Sequence, residues 1–251
     1  MRSVVVCTYS QVPELYRFSS ALVDLPYFKL RLKNWNRYYT TELLNVEADW
    51  IIHIDEDAFM LDSSRIELLL MYMEEHGYVC AGIPDGGVLD IRFHNPVACN
   101  AFFLILHRKA ILPYIHDFET IRSCKWREEY RELTPEIVLS KGLRFEYCEC
   151  EPFYGLYFWL CSKKFPILYL DAEEWSGESE RTSCLLKDHT DMPFLLHTWY
   201  SRQYRPTAIH GKSPVQLLKR LKNKIQPFNK GLHYDRIRRA MEYVESVNKN
   251  R

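Results

Sequence analysis

The hydrophobic pattern of the chain alternates between two periods. "SVVVCTY", from Ser3 to Tyr9, is a continuous β-branched run of the kind that forms a buried strand, and the polar "SQVPE" after it predicts a loop. From Leu15 to about Leu44 apolar residues recur mostly at helical spacing, with a break near Pro26. A second strand is predicted over Trp50–Ile54. Ser64 followed by Glu67 predicts a capping box opening a helix, with Ile66, Leu69, Leu70 and Met73 as its buried stripe and Gly77 as its stop.

Further along, "YVCAGIP" reads as a third strand before a "DGG" turn, and "ACNAFFLILHR" as a fourth. "TPEIVLSKGLRFEYCE" predicts a short helix opened by Pro135, closed by Gly142 and followed by a strand. "PFYGLYFWL" is too continuously apolar for its period to decide between helix and strand, and "PFLLHTWYSRQY" is an apolar run that delivers a histidine. Strands alternating with helices, with polar loops after the strands, predict an α/β layered domain with a mixed, mainly parallel sheet flanked by helices. One domain is expected over residues 1–211. A C-terminal helical extension follows over 212–251, in which "SPVQLLKRLKNKI" forms a basic amphipathic helix. Such a helix ordinarily packs on its domain, and its charge also suits peripheral contact with an anionic membrane face.

Composition narrows the classes. The 251 residues carry 33 basic and 33 acidic side chains, so no global field favours nucleic acid. Aromatic residues make up 14%, including 17 tyrosines, which suits either a large core or a stacking surface for sugars. Eight cysteines are scattered without a C-x-x-C pair, and they are expected to be reduced core residues of a cytoplasmic protein. Cys148 and Cys150 would share a face on a strand. The start "MRSVVVCTYS" does not read as a secretory signal, and no segment reaches the length of a membrane span.

The candidate chemistry lies in "IIHIDEDAFMLD". In open α/β sheets ligands gather outside the carboxyl ends of strands. Asp55 and Asp57 leave the predicted strand on one face, and two carboxylates so close repel one another unless a cation lies between them. Hard divalent ions such as Mn²⁺ or Mg²⁺ take such oxygen ligands and keep positions open for phosphate oxygens. Asp62 and Ser63 are better placed to cap the next helix, which leaves the first acids for a metal. His53, inside the strand, is expected to pack rather than to ligate.

The arrangement resembles the GT-A nucleotide-sugar glycosyltransferases, in which an apolar strand ends in D-x-D and a later histidine completes the metal site. "IIHIDEDAFM" matches that motif, and "ACNAFFLILHRKAI" resembles the following strand, with Asn100 and Ala101 facing the donor sugar. The resemblance places Glu136, in the helix of "TPEIVLSKG", facing the reacting carbon; in an inverting enzyme Glu136 is the first candidate for general base and Glu151 of "CECEPFYG" the second, and in a retaining one Glu136 would instead stabilise the cationic sugar or form a transient bond. It implies His197 of "FLLHTWYSRQY" as third metal ligand, with His210 of "AIHGKSP" as the alternative, and Lys212 on the diphosphate. Thr8 and Tyr9 are candidates for the nucleotide, Arg37 for the donor phosphates, and Glu56, between the two aspartates, for the donor side. The likeness covers about Val4 to Pro214. The stretch before Asp55 is short for the family's nucleotide-binding half.

The implied activity is metal-dependent transfer of a sugar from a UDP- or GDP-sugar to a glycan or lipid-linked acceptor, as in a hexosyltransferase, with stereochemistry left open. Two alternatives stand beside it. A haloacid-dehalogenase-like phosphatase also uses D-x-D after a strand, but Phe59 stands where that class has Thr or Val. The other is a nucleotide-sugar-binding module without turnover.

Overall fold

The structure is a computed structural model, and it describes residues 2–32, 34, 37–85, 89, 94–201, 204 and 230–250. The first strand, β1 (Val4–Tyr9), pairs in parallel with β2 (Phe28–Leu32) on one side and with β3 (Trp50–Ile54) on the other. Beyond β3 come β6 (Phe103–Leu106), β5 (Cys80–Gly82) and β7 (Ile167–Tyr169), giving the sheet order β2-β1-β3-β6-β5-β7. Only β6 runs against the others in this sheet, pairing antiparallel with β3 and β5. The fold is mixed α/β, with a mainly parallel six-stranded sheet between helices.

All five residues of β3 are buried, as expected of a central strand covered on both faces. Alternation along β1 sends Val5 and Cys7 into one core with Leu104 and Leu106, and Val4 and Val6 into the other with Ile52 and Ile54. The first core is covered by α6 (Tyr154–Ser162), the undecided aromatic run, a helix buried on nearly every side. Gly155 lets it approach α4 (Phe118–Arg122), because a Cβ there would lie 2.6 Å from the Ile121 carbonyl oxygen. The second core is covered by α2 (Ser64–His76), whose buried face is the expected Ile66, Leu69, Leu70 and Met73. Each such side chain removed from water contributes about 1.5–3 kcal/mol.

A second, antiparallel sheet holds β4 (Ala58–Met60), β10 (Pro193–His197), β9 (Cys184–Lys187) and β8 (Ala172–Glu174) in the order β4-β10-β9-β8. Against it lie α1 (Pro13–Ala21) and the C-terminal helix α7 (Lys230–Lys249), which shares a core of Leu15, Phe59, Leu196, Ile237 and Val244.

The structure corrects several expectations. The helical reading of Leu15–Leu44 holds only for α1. Phe28–Leu32 is an edge strand, and a π-helical turn follows at Tyr38–Glu42. No capping box forms on α2: Asp62 accepts from the Ser64 N–H at 3.1 Å, while Glu67 turns to Arg2 and Tyr27. The helix α5 (Glu136–Lys141) ends at Gly142 in the left-handed conformation, as expected, but no strand follows it and residues 143–150 run without regular structure. Cys7, Cys80, Cys99, Cys161 and Cys184 are core residues, whereas Cys124 and Cys148 are half-buried and Cys150 is exposed. The basic helix of the extension lies outside the described residues. No described helix is long and apolar enough to cross a membrane.

Candidate metal centre

The two sheets meet at the end of β3. There the chain makes one turn, in which the Ala58 N–H donates to the Asp55 carbonyl at 3.1 Å, and crosses directly into β4. β10 pairs with β4 so that His197 stands opposite Ala58, and the Thr198 N–H donates to the Asp57 carbonyl at 2.9 Å. This register brings Asp55, Asp57 and His197 together, with one ligand atom from each lying within 4.8 Å of the others. Asp57 and His197 are buried, and Asp55 is partly open.

The charges are set by these neighbours. His197 Nε2 lies 3.6 Å from Asp57 Oδ1, and the Ser201 N–H donates to Asp57 Oδ2 at 2.9 Å. Burial pushes the Asp57 carboxyl upward, but the imidazole and that N–H outweigh it and hold the group below the ordinary carboxylate range. Phe102 stacks on the His197 ring with centroids 3.9 Å apart, and Trp199 packs tilted against the same imidazole at 4.6 Å. His197 Nδ1 is buried and finds no hydrogen-bond partner among the described residues. An imidazole that brings a nitrogen within reach of two carboxylates makes a donor set suited to Mn²⁺ or Mg²⁺. The residues present therefore fit the ion.

Behind Asp55 lies a histidine whose Nε2 must carry a proton. The Tyr39 hydroxyl donates to the Ala101 carbonyl at 2.7 Å, so toward His53 Nε2, at 2.9 Å, it must accept. The Nε2–H also faces Asp55 Oδ1 at 3.1 Å, and the Tyr38 hydroxyl and His53 Nδ1 are hydrogen-bonded at 2.5 Å. His53 is thus a buried donor that orients Asp55, fixed by two hydroxyls from the π-helical turn. Sequence reasoning placed His53 in the core. It missed this network because the tyrosines are adjacent in sequence, a spacing that signals no shared target.

The remaining candidates are distributed. Asn100 donates from Nδ2 to Asp85 Oδ1 at 2.6 Å, and the backbone carbonyl of Phe102 accepts from the Asp55 N–H at 2.9 Å, so Asn100 and Ala101 lead directly into the site. Glu56 is buried, and its Oε2 accepts from Ser10 Oγ at 2.7 Å, the Gln11 N–H at 3.0 Å and the Val12 N–H at 2.7 Å. That carboxylate holds the loop entering α1, so the donor role expected of it gives way to a structural one. Burial raises the Glu56 carboxyl despite those donors.

Thr8 is buried beside a void of about 10 Å³ shared with Tyr16 and Lys29, and Tyr9 stands edge-on to Tyr38 at 5.7 Å. Arg37 is exposed at the start of the π-helical turn. Glu136 is exposed in the first turn of α5 and is not part of the Asp55–Asp57–His197 cluster. Glu151 lies 3.9 Å from His94 and lines a different cleft, one that none of the three metal candidates lines. His210 and Lys212 lie outside the described residues.

No protein-family model matches the chain, and no curated protein is similar to it in sequence. Among solved structures it is similar to a glycosyltransferase involved in the glycosylation of the major capsid of PBCV-1, at 9% identity over 59% of this chain and 81% of that one, with a TM-score of 0.35. A protein from STIV matches at 12% identity over 85% of this chain and 100% of the other, with a TM-score of 0.32. A CMP:2-keto-3-deoxy-manno-octonic acid synthetase complexed with CTP matches at 10% identity over 59% and 89%, with a TM-score of 0.29. Likenesses at these scores carry no functional weight.

Proposed function

We propose that the chain is a metal-dependent, GT-A-like glycosyltransferase whose donor is a nucleoside-diphosphate sugar. The observation that supports this reading is the meeting of Asp55, Asp57 and His197 at the carboxyl end of the central strand. In this reading the three side chains hold Mn²⁺ or Mg²⁺. The ion, when bound, neutralises charge developing on the diphosphate as the bond to the anomeric carbon breaks.

The protein's own residues do the rest. Phe102 and Trp199 pack against the buried His197 and keep water away from one side of the site. His53 holds Asp55 in its rotamer, and Asn100 and Ala101 bring backbone and amide groups to the edge where a donor sugar would lie. The acceptor is a glycan or lipid-linked hydroxyl.

The test is a melting-temperature screen of UDP- and GDP-sugars with and without Mn²⁺, followed by hydrolysis of whichever sugar stabilises the protein. A ligand that binds only the native state raises the melting temperature by mass action. Metal-dependent stabilisation and turnover, both lost on Asp55→Asn, are the expected result. Stabilisation that is indifferent to metal and to Asp55 refutes the reading.

A further inference from the structure

A second cluster of ligating atoms lies away from the first. His94, in the segment leading into β6, meets Cys148 and Cys150 in the irregular stretch before α6. Cys148 Sγ and Cys150 Sγ are 3.4 Å apart, and His94 Nδ1 is 3.3 Å from the Cys150 sulfur and 3.9 Å from that of Cys148. All three atoms belong to a tetrahedron's edge lengths: Zn–S bonds of about 2.3 Å and a Zn–N bond of about 2.0 Å set S···S near about 3.8 Å and S···N near about 3.5 Å. The other imidazole nitrogen, Nε2, faces Glu151 Oε1 at 3.9 Å. A carboxylate on the far nitrogen of a ligating histidine is the usual arrangement that fixes ring orientation and raises ligand basicity.

The backbone holds this geometry independently of any ion. The Glu146 N–H donates to the His94 carbonyl at 3.2 Å, and Asn95 Nδ2 donates to the Cys148 carbonyl at 3.1 Å. The thiols also differ in kind from those of the core. Burial pushes Cys7, Cys161 and Cys184 up to about 12, which leaves them inert, whereas Cys150 is exposed on the wall of a cleft of about 210 Å³.

We propose that His94, Cys148 and Cys150 form a second metal site, selective for a thiophilic divalent ion such as Zn²⁺, that clasps the segment leading into β6 onto the segment before α6. The inference does not rest on the proposed glycosyltransferase activity. Two thiolates and an imidazole select Zn²⁺ over Mg²⁺ by softness, so the two centres are chemically distinct. Binding displaces the two thiol protons to solvent, and the cleft supplies a water for the fourth vertex. The clasp has a route to the first centre. The Asn95 N–H donates to the Tyr154 hydroxyl at 3.2 Å, Tyr154 donates to Asp85 at 2.5 Å, and Asp85 accepts from Asn100.

Co²⁺ titration of the reduced, chelator-treated full-length protein tests the site, because only thiolate ligands give a sulfur-to-cobalt charge-transfer band. One equivalent is expected to produce that band with intense tetrahedral visible absorption, and Zn²⁺ is expected to bleach it. The band should persist in Asp55→Asn, vanish in Cys148→Ser/Cys150→Ser, and weaken in His94→Ala. Absence of the band in the unmutated protein, which requires no variant to fold, overturns the proposal. So does its survival in the double serine variant, or recovery of Cys148 and Cys150 joined as a disulfide from protein purified anaerobically.

Discussion

The ring of Phe102 lies nearly parallel to the imidazole of His197, at an interplanar angle of 16°. Phe102 also supplies the carbonyl that accepts from the Asp55 N–H, so one residue steadies both Asp55 and His197 at the junction of the sheets. Phe102→Leu keeps the apolar volume and the backbone bond but removes the flat contact. Mn²⁺ affinity by calorimetry is expected to fall about 10–100-fold, the range for outer partners of metal ligands. Stability should fall by under about 1.5 kcal/mol in urea unfolding.

Asp55 and Asp57 separate in their effects on the fold. Asp55 is partly open, whereas Asp57 is buried, accepts from the Ser201 N–H and sits against His197. Asp55→Asn is expected to retain the wild-type melting temperature to within a few degrees while metal-dependent hydrolysis of a nucleotide sugar falls at least about a hundredfold. Asp57→Ala should lose activity and also about 1–3 kcal/mol of stability, since it strands the partly buried Ser201 N–H.

Arg236, on α7, is fully buried and lies 3.4 Å from Glu178. It donates to the carbonyls of Thr198 and Trp199 and to Ser183 Oγ, which ties the C-terminal helix to the strand end that carries His197. Arg236→Ala leaves Glu178 as a buried charge without this partner. A loss of about 3–5 kcal/mol is expected in denaturant titration. Double substitution with Glu178→Gln should recover part of it, because the stranded charge is then gone.

Asp188 closes the turn between β9 and β10, accepting from the Thr190 N–H at 2.8 Å, Thr190 Oγ1 at 2.7 Å and the Met192 N–H at 3.2 Å. Burial would raise its carboxyl, but these donors and Arg65 hold it below the ordinary range. A depressed folded-state value means that the stabilisation is present above the unfolded value of about 3.9 and is lost as pH falls through the folded one. Asp188→Ala should cost about 1–3 kcal/mol at pH 7. The gap between variant and wild type, followed by urea unfolding, should narrow below about pH 4.

Where function depends on a local pattern, the sequence was readable. The unbroken apolar run of β3 and the two aspartates after it mark the residues that meet at the sheet junction, and the run before His197 marks the third member of that cluster. β2 was hidden because Phe28, Lys29, Leu30, Arg31 and Leu32 form a half-exposed edge, whose apolar residues fall in step with the helical spacing of α1. The loose strand expected after Gly142 failed because Arg144 and Glu146 are exposed and no neighbouring strand reaches residues 143–150. The sulfur cluster was missed for a different reason. C-x-C is not a recognised metal spacing by itself, and its third member, His94, comes from a distant segment that only the fold brings near.

The junction of the two sheets also carries a consequence for biosynthesis. The carboxylates emerge early from the ribosome, on the loop after β3, but β10 and His197 follow only once most of the domain has been made. A nascent chain can therefore display the two acids and yet be unable to bring His197 to them until the small sheet has zipped up across β4. Pairing across β4 would then complete the small sheet and the Asp55–Asp57–His197 cluster together, and a chain truncated between β7 and His197 would keep every strand of the central sheet without that cluster.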